Sequence, residues 1–193
     1  MDYKNARILL TGDLNKESQK LLLNYVPKEE FKADIAKGCH HGSEDILFDF
    51  LKHMNPKATI ISSGDNEKYS HPRPLILGAS AFHGSTFKGE DETIDLPPLV
   101  YSTELARSVQ FDTPLRIKTR SNPGDTTYDD HEVYNTLVTM PGRKNPKRMA
   151  DALIVNGLNY GLISVRTDGN KILIANAYEG KADFETQVIS LKK

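Results

Sequence analysis

Lys37-Gly38-Cys39-His40-His41-Gly42-Ser43 is the stretch on which the reading of the chain turns. Two adjacent imidazoles, then glycine and serine, follow directly on a strand-like run, and the flanking segments repeat that arrangement. Upstream, Ile8-Leu9-Leu10 is a short continuous apolar run of the kind shown by a strand buried on both faces. Thr11-Gly12-Asp13 ends it with a carboxylate. Downstream, residues 58–63 read as another strand, followed by Gly64-Asp65-Asn66 and, close behind, His71-Pro72. Three strand ends, each with a metal-ligating or hydrogen-bonding residue, place one polar site at one edge of a sheet.

The intervening segments read as helices. After Asn15, Leu21, Leu22 and Leu23 form an apolar face beside Glu17, Lys20 and Asn24, with Asp13 or Asn15 as the cap and Pro27 as the stop. Residues 31–38 alternate as a strand would, with Phe31, Ala33 and Ile35 on one face and Lys32, Asp34 and Ala36 on the other. Ser43 is placed to cap a helix carrying Ile46, Leu47, Phe50, Leu51 and Met54, which Asn55-Pro56 ends. Strand, helix, strand, helix, strand is the rhythm of an α/β layer.

Past Pro74 the pattern through Leu75, Ile76, Leu77 and Ala81 is helical, residues 85–98 read as an acidic surface loop, and residues 99–103 as a further strand. Arg116, Lys118 and Arg120 alternate with Ile117 and Thr119, which on a strand puts three positive charges on one face. Residues 121–127 are loop by composition, and Arg143 to Arg148 form a basic loop. A hairpin is expected around Asp168-Gly169-Asn170, flanked by the apolar runs 160–167 and 171–176. With no internal repeat and no long linker, the expectation is a single domain over residues 1–193, with its core in 1–84 and an extension in 85–193.

Composition agrees with a globular chain. At 193 residues it is long enough to bury roughly 70% of its unfolded surface in one core. A hydrophobic share of 38%, a charged share of 26% and a formal net charge of −1 exclude disorder and gross nucleic-acid coating, and leave a local basic groove open. No apolar run approaches the roughly 18 residues of a spanning helix, so no membrane segment is expected. The N-terminal residues lack the order of a secretory signal. A single cysteine permits no intrachain disulfide, and a cytoplasmic location is the expectation.

Asp13, His40 and His41 are the residue types that a hydrolytic metal centre requires. Imidazoles and carboxylates on rigid backbone, with one position left for water, let a bound cation lower the water pKa to about 7. Gly12 and Gly42 allow the tight turns. Each residue alone has a plainer reading, as a turn aspartate or a surface histidine; their order along the chain favours the site. Cys39 would be a soft ligand, but the residue before the turn reads as a small hydrophobe pointing into the core. Ser43 offers a hydroxyl and a helix N-terminus to an anionic oxygen. Arg116, Lys118 and Arg120 would line a phosphate track or simply a solvated strand face.

The string Ile8-Leu-Leu-Thr-Gly-Asp13, then Ala33-Asp34-Ile35-Ala36-Lys37 leading to His40-His41-Gly42-Ser43, then Ile61-Ser62-Ser63-Gly64-Asp65-Asn66 and Tyr69-Ser70-His71-Pro72, resembles the metallo-β-lactamase fold. Its best match is the ComEC/Rec2-like branch, whose hydrolase domain is linked to DNA processing in natural competence. The resemblance implies a four-layer αββα sandwich and a dinuclear divalent-metal centre, zinc or manganese. It puts Asp13 on the metal-bridging aspartate and His40 on the late histidine ligand, with His41 the alternative. Asn66 and His71 fall on the catalytic polar turn, where His71 would be an acid or a phosphate contact. Hydrolysis of phosphodiesters, single-stranded DNA among them, is the implied activity; an ester, thioester or lactam is a further substrate reading.

One departure from the family pattern is large. Its first metal motif, His-x-His-x-Asp-His, lies upstream of the aspartate, and nothing in residues 1–12 replaces it; Asp130-His131 reproduces only its last two positions. The resemblance therefore covers the second half of the domain. It implies a truncated chain, a split enzyme with a partner chain that brings the first half, or a non-catalytic binding or assembly module. A half alone would expose an apolar sheet face.

Overall fold

Parallel pairing organises the first hundred residues, because each apolar strand is followed by a segment that carries the chain back before the next one begins. β1 (Asp2–Tyr3) turns antiparallel onto β2 (Ala6–Leu9). There follow α1 (Lys16–Tyr25), β3 (Ile35–Lys37), α2 (Phe48–Met54), β4 (Ala58–Ile61), α3 (Pro74–Phe82), the short pair β5 (Phe87–Lys88) and β6 (Asp95–Leu96), and β7 (Leu99–Ser102). β2, β3, β4 and β7 pair in parallel and in chain order, so the sheet runs β1-β2-β3-β4-β7. The computed structural model describes residues 1–64, 69, 71–93, 95–104, 161–177 and 184–191, and the backbone of the strands at 114–120, 128–134, 137–138 and 147–148.

Crossovers that all step the same way along a sheet, each with the usual right hand, put every helix on one face. The packing agrees. Leu22 and Leu23 of α1, Phe50, Leu51 and Met54 of α2, and Ile76 and Leu77 of α3 share one cluster with Ala36, Ile61 and Val100 of the sheet. The α/β class expected from the sequence is the class observed.

The opposite face of the sheet is covered by a meander of β12 (Ile163–Thr167), β13 (Lys171–Ala177) and β14 (Phe184–Ser190). In β13 the inward positions Ile172, Ile174 and Asn176 are buried and the alternate ones half-buried. Ile172, Ile174 and Ile189 pack against Ile35, Ala58, Leu99 and Tyr101. The expected hairpin forms, with Gly169 at φ +88° and the Asp168 carboxylate accepting from Asn170 N (2.7 Å) and Lys171 N (2.9 Å). Those two amides hold the Asp168 carboxyl below the usual carboxylate range. The exposed apolar face expected of a half domain is thus corrected: the chain's own meander buries it, giving helices, mixed sheet and antiparallel sheet in three layers.

Four local readings are also corrected. Residues 31–38 do not form one strand. Lys28–Phe31 is a 3-10 turn, and Lys32 N closes it on Glu29 O, so Phe31 goes to the helix side against Phe50 while Ile35 faces the meander. Ser43 does not cap a helix. α2 starts at Phe48, and Gln19, buried in α1, accepts from Leu47 N at 2.7 Å. Leu10 lies beyond the end of β2 and is 68% exposed. Residues 85–98 are more than a loop, since β5 pairs with β6 and Phe87 is buried.

Asn15 is the cap of α1, accepting from Ser18 N at 2.9 Å. β8 (Pro114–Arg120) and β9 (Tyr128–Tyr134) form an antiparallel pair that sets Arg116 opposite Glu132 and Lys118 opposite Asp130. β10 (Leu137–Val138) pairs with β11 (Lys147–Arg148), so the end of the expected basic loop is strand.

Ile174 is fully buried at the contact between the two sheets. Ile174→Ala is expected to lower the unfolding free energy by about 3 kcal/mol, read from urea denaturation; a loss within experimental error of zero would mean that the meander does not close this core.

Candidate functional site

The carboxyl ends of parallel strands are where the backbone of an open α/β sheet leaves room for a ligand. Here those ends are the turns after β2, β3 and β4, and hydrogen bonds tie them together. Thr11 Oγ1 donates to Lys37 O (2.8 Å), His40 N to Gly12 O (3.1 Å) and Gly38 N to Ile60 O (2.7 Å). Lys37 Nζ donates to Gly12 O (3.2 Å) and Gly38 O (3.3 Å).

Three consecutive residues of the histidine turn are left-handed: His40 at φ +46°, His41 at +53° and Gly42 at +82°. A non-glycine residue there costs about 1–2 kcal/mol, and the surroundings supply it. Ser43 N donates to His40 O (2.9 Å), Arg73 N to Gly42 O (2.8 Å), and the His41 ring bonds Ser62 O. Gly42 is packed so closely that a Cβ would stand 2.6 Å from Pro72 Cβ and 2.9 Å from Pro72 Cα. The turn is thereby pressed onto the segment that carries His71.

The two histidines face different neighbours. His41 Nδ1 lies 2.7 Å from Ser62 O. A carbonyl can only accept, so Nδ1 carries the hydrogen and a neutral ring has its lone pair at Nε2. That Nε2 is 3.3 Å from Asp13 Oδ1. Two donor atoms on one tetrahedral cation, with bonds of about 2.0–2.2 Å, stand roughly 3.4 Å apart, and a backbone carbonyl on the far nitrogen is the usual support of a ligating histidine. The pair therefore fits one edge of a cation's coordination sphere, and equally an ion pair with a protonated ring.

His40 stands against His71 instead, ring centroids 6.1 Å apart and nearly perpendicular. His40, His41, Ser63, Gly64, Tyr69 and His71 line a pocket of about 220 Å³. Two buried atoms of its lining, His40 Nδ1 and Ser63 Oγ, have no hydrogen-bond partner among the described residues. The Ser63 backbone is held, its N accepted by Thr103 Oγ1 (2.8 Å) and its carbonyl accepting from the same hydroxyl. Burial lowers the His71 pKa, and the charges of Arg73, His40 and His41 lower it further, so His71 favours its neutral form.

Of the site residues expected from the sequence, Asp13, His40, His41 and His71 gather at this edge. Ser43 is beside it, but its hydroxyl accepts from Asp45 N (3.2 Å) and it begins no helix, so the helix N-terminus assigned to it is absent. Asn66 lies outside the described residues, as do the side chains of Arg116, Lys118 and Arg120. Cys39 points into the core as expected, and burial pushes its thiol pKa up. Among the described residues no group of three or more histidine, cysteine, aspartate or glutamate side chains could hold a metal. The dinuclear centre that the resemblance implies is therefore not assembled by them. Sequence reasoning assigned no role to Thr11, Lys37, Arg73 or Thr103, whose bonds are long-range and leave no local pattern.

Over 70 residues, 36% of this chain, the sequence is 41% identical to ComE operon protein 3 of Bacillus subtilis (strain 168); the match spans 9% of that protein. No protein-family model matches the chain, and no solved structure does. The chain is thus similar in part to a ComE operon protein. Among the described residues, no helix is long and apolar enough to cross a membrane.

Two measurements check the geometry. The His71 ring is expected to titrate below the ordinary histidine value of 6.5 in an NMR series; because its folded pKa is the lower one, its contribution to stability is complete above 6.5 and is lost as pH falls through the folded value. A midpoint above 6.5 would contradict the burial. Gly12 needs only its left-handed φ of +55°, with nothing within 4 Å of a Cβ, so Gly12→Ala should cost about 1 kcal/mol. Gly42→Ala adds a backbone clash and should cost about 3 kcal/mol or more in denaturant unfolding.

Proposed function

We propose that this sheet edge is one part of a metal-dependent hydrolase centre of the metallo-β-lactamase kind, acting on phosphodiesters such as single-stranded DNA. The observation that carries the reading is the Asp13 Oδ1 to His41 Nε2 approach of 3.3 Å, with His41 held by Ser62 O. The partial match to ComE operon protein 3 is consistent with the ComEC/Rec2-like resemblance. Zinc or manganese suits a carboxylate with an imidazole. Two donors hold a cation weakly, so the remaining ligands come from outside the described residues, whether from this chain or from a partner chain.

In this reading Asp13 and His41 face the cation. His40 and Ser63 turn their unpartnered atoms to the substrate, and His71, favoured neutral, donates an N–H to a phosphate oxygen rather than acting as an imidazolium acid. A second reading, a non-catalytic binding or assembly module, is favoured by the count of two donors among the described residues.

Zinc uptake by the purified chain, followed by elemental mass spectrometry after equilibration and gel filtration, separates the two. Under the hydrolase reading Asp13→Ala and His41→Ala abolish uptake, while His40→Ala reduces it less. Equal uptake by wild type and both variants would leave the module reading, and no uptake by any of them at saturating zinc would leave the module or a centre completed by a partner chain.

A further inference from the structure

Lys37 belongs to the Asp13 end of the histidine cluster and Arg73 to the His71 end. Among the described residues, no carboxylate forms an ion pair with either. Lys37 Nζ is pinned by two carbonyls, Gly12 O at 3.2 Å and Gly38 O at 3.3 Å. Carbonyls are neutral, so the ammonium keeps its full charge, and the third of its N–H groups has no partner among the described residues. Arg73 is anchored through its backbone, N to Gly42 O at 2.8 Å. Its guanidinium has no hydrogen-bond or ion-pair partner among the described residues, yet it lies close enough for its charge to act on His71.

Holding a long side chain against carbonyls costs rotamer entropy without neutralising it. A cation so held keeps its field for a ligand. Lys37 is thus tied to the turns that carry Asp13 and His40, and Arg73 to the segment that carries His71, and His40 and His71 both line the pocket. A phosphodiester suits both cations: it has acceptor oxygens for the guanidinium fork and for an ammonium N–H, and negative charge for both.

We propose that Lys37 and Arg73 form an anion clamp that holds a phosphodiester strand across the histidine cluster without any metal. This rests on reading the edge as a phosphodiester site, and it adds the residues that recognise the substrate's charge. The clamp reads phosphates and not bases, so its binding is independent of sequence and falls with salt.

The test is fluorescence anisotropy of a labelled oligothymidylate with the full chain in EDTA, over a range of sodium chloride concentrations. Two phosphate contacts give a slope of log affinity against log salt of about −1.4, and Arg73→Gln or Lys37→Gln reduces it to about −0.7. Each variant is expected to bind about tenfold more weakly, the loss of one charge-assisted contact. Lys37→Gln also removes the tie to Gly12, so Lys37→Arg serves as the charge-retaining control and should recover at least half of the lost affinity on the logarithmic scale. Inorganic phosphate should compete; failure to compete would show that thymine stacking, not phosphate recognition, holds the strand, and would overturn the clamp. So would an unchanged affinity and slope in Arg73→Gln.

Asp13→Asn keeps the two readings apart. It removes the carboxylate assigned to the cation and one repulsive charge, so oligothymidylate binding should persist or strengthen. If binding persists while zinc uptake never depended on Asp13, the metal reading falls and the clamp stands. If zinc uptake depends on Asp13 while Arg73→Gln binds as wild type does, the clamp falls alone.

Discussion

The Gly12 carbonyl accepts two hydrogen bonds, from His40 N at 3.1 Å and from Lys37 Nζ at 3.2 Å, and through them the turn after β2 is fixed to the turn after β3. Both lone pairs of one oxygen are used to hold two loops in register. Asp13 is the next residue, and His41 follows His40, so the 3.3 Å approach of their side chains depends on that shared acceptor. The parallel register makes it possible: Leu9 lies opposite Ala36, and Lys37 opposite Ile60, so the three strands end at one level. A slip of one residue would turn every side chain to the other face and separate the pair.

The two layers that flank the sheet keep this edge rigid in different ways. On one face Phe50, Leu51, Met54, Ile76 and Leu77 form a continuous core with Ile61, and Ile61 also fills the space beside Gly38 and Gly42. A Cβ on Gly38 would stand 2.7 Å from Ile61 Cγ1. The glycines are therefore as much a packing requirement as a conformational one: the histidine turn rests directly on the core. On the other face the meander reaches the same edge through Gly161 N, which donates to Thr103 O at 2.7 Å, while Thr103 clasps Ser63. Core packing thus extends to the pocket wall within one or two residues, and a dense interior transmits displacement rather than absorbing it.

Much of the fold was legible because its signals are local. The runs at Ile8-Leu9 and 58–61 and the Asp168-Gly169 turn announce strands and a hairpin by composition alone, and Pro27 and Pro56 mark two boundaries by chemistry. What failed is long-range. Residues 31–38 alternate correctly, yet Ala33 N donates to Met54 O and Asp34 N to Arg7 O, and these tertiary bonds override the period of two. Ser43 has the right chemistry for a cap, but Gln19, from another helix, satisfies the Leu47 amide. The site shows the same division. Asp13, His40, His41 and His71 were legible as residue types after strands. Which histidine meets the carboxylate was not, because that depends on the left-handed backbone of His40 and His41 and on where Ser62 O lies.

Adjacent histidines on an extended strand would point to opposite faces, and on a helix would diverge by about 100°. A left-handed turn does neither. With φ values of +46° and +53°, His40 and His41 both remain beside one pocket while meeting different partners, a carbonyl and a carboxylate for one ring, a second imidazole for the other. The backbone strain and the differing environments are two aspects of one arrangement. Replacing either residue by glycine would relieve the strain and remove a ring, so stability and site chemistry oppose each other at these positions, as they do where strain is stored for function. The local free energy of this turn is thus set against its intrinsic preference, and Ser62 O, Gly42 O and Gly12 O are the acceptors that hold it there.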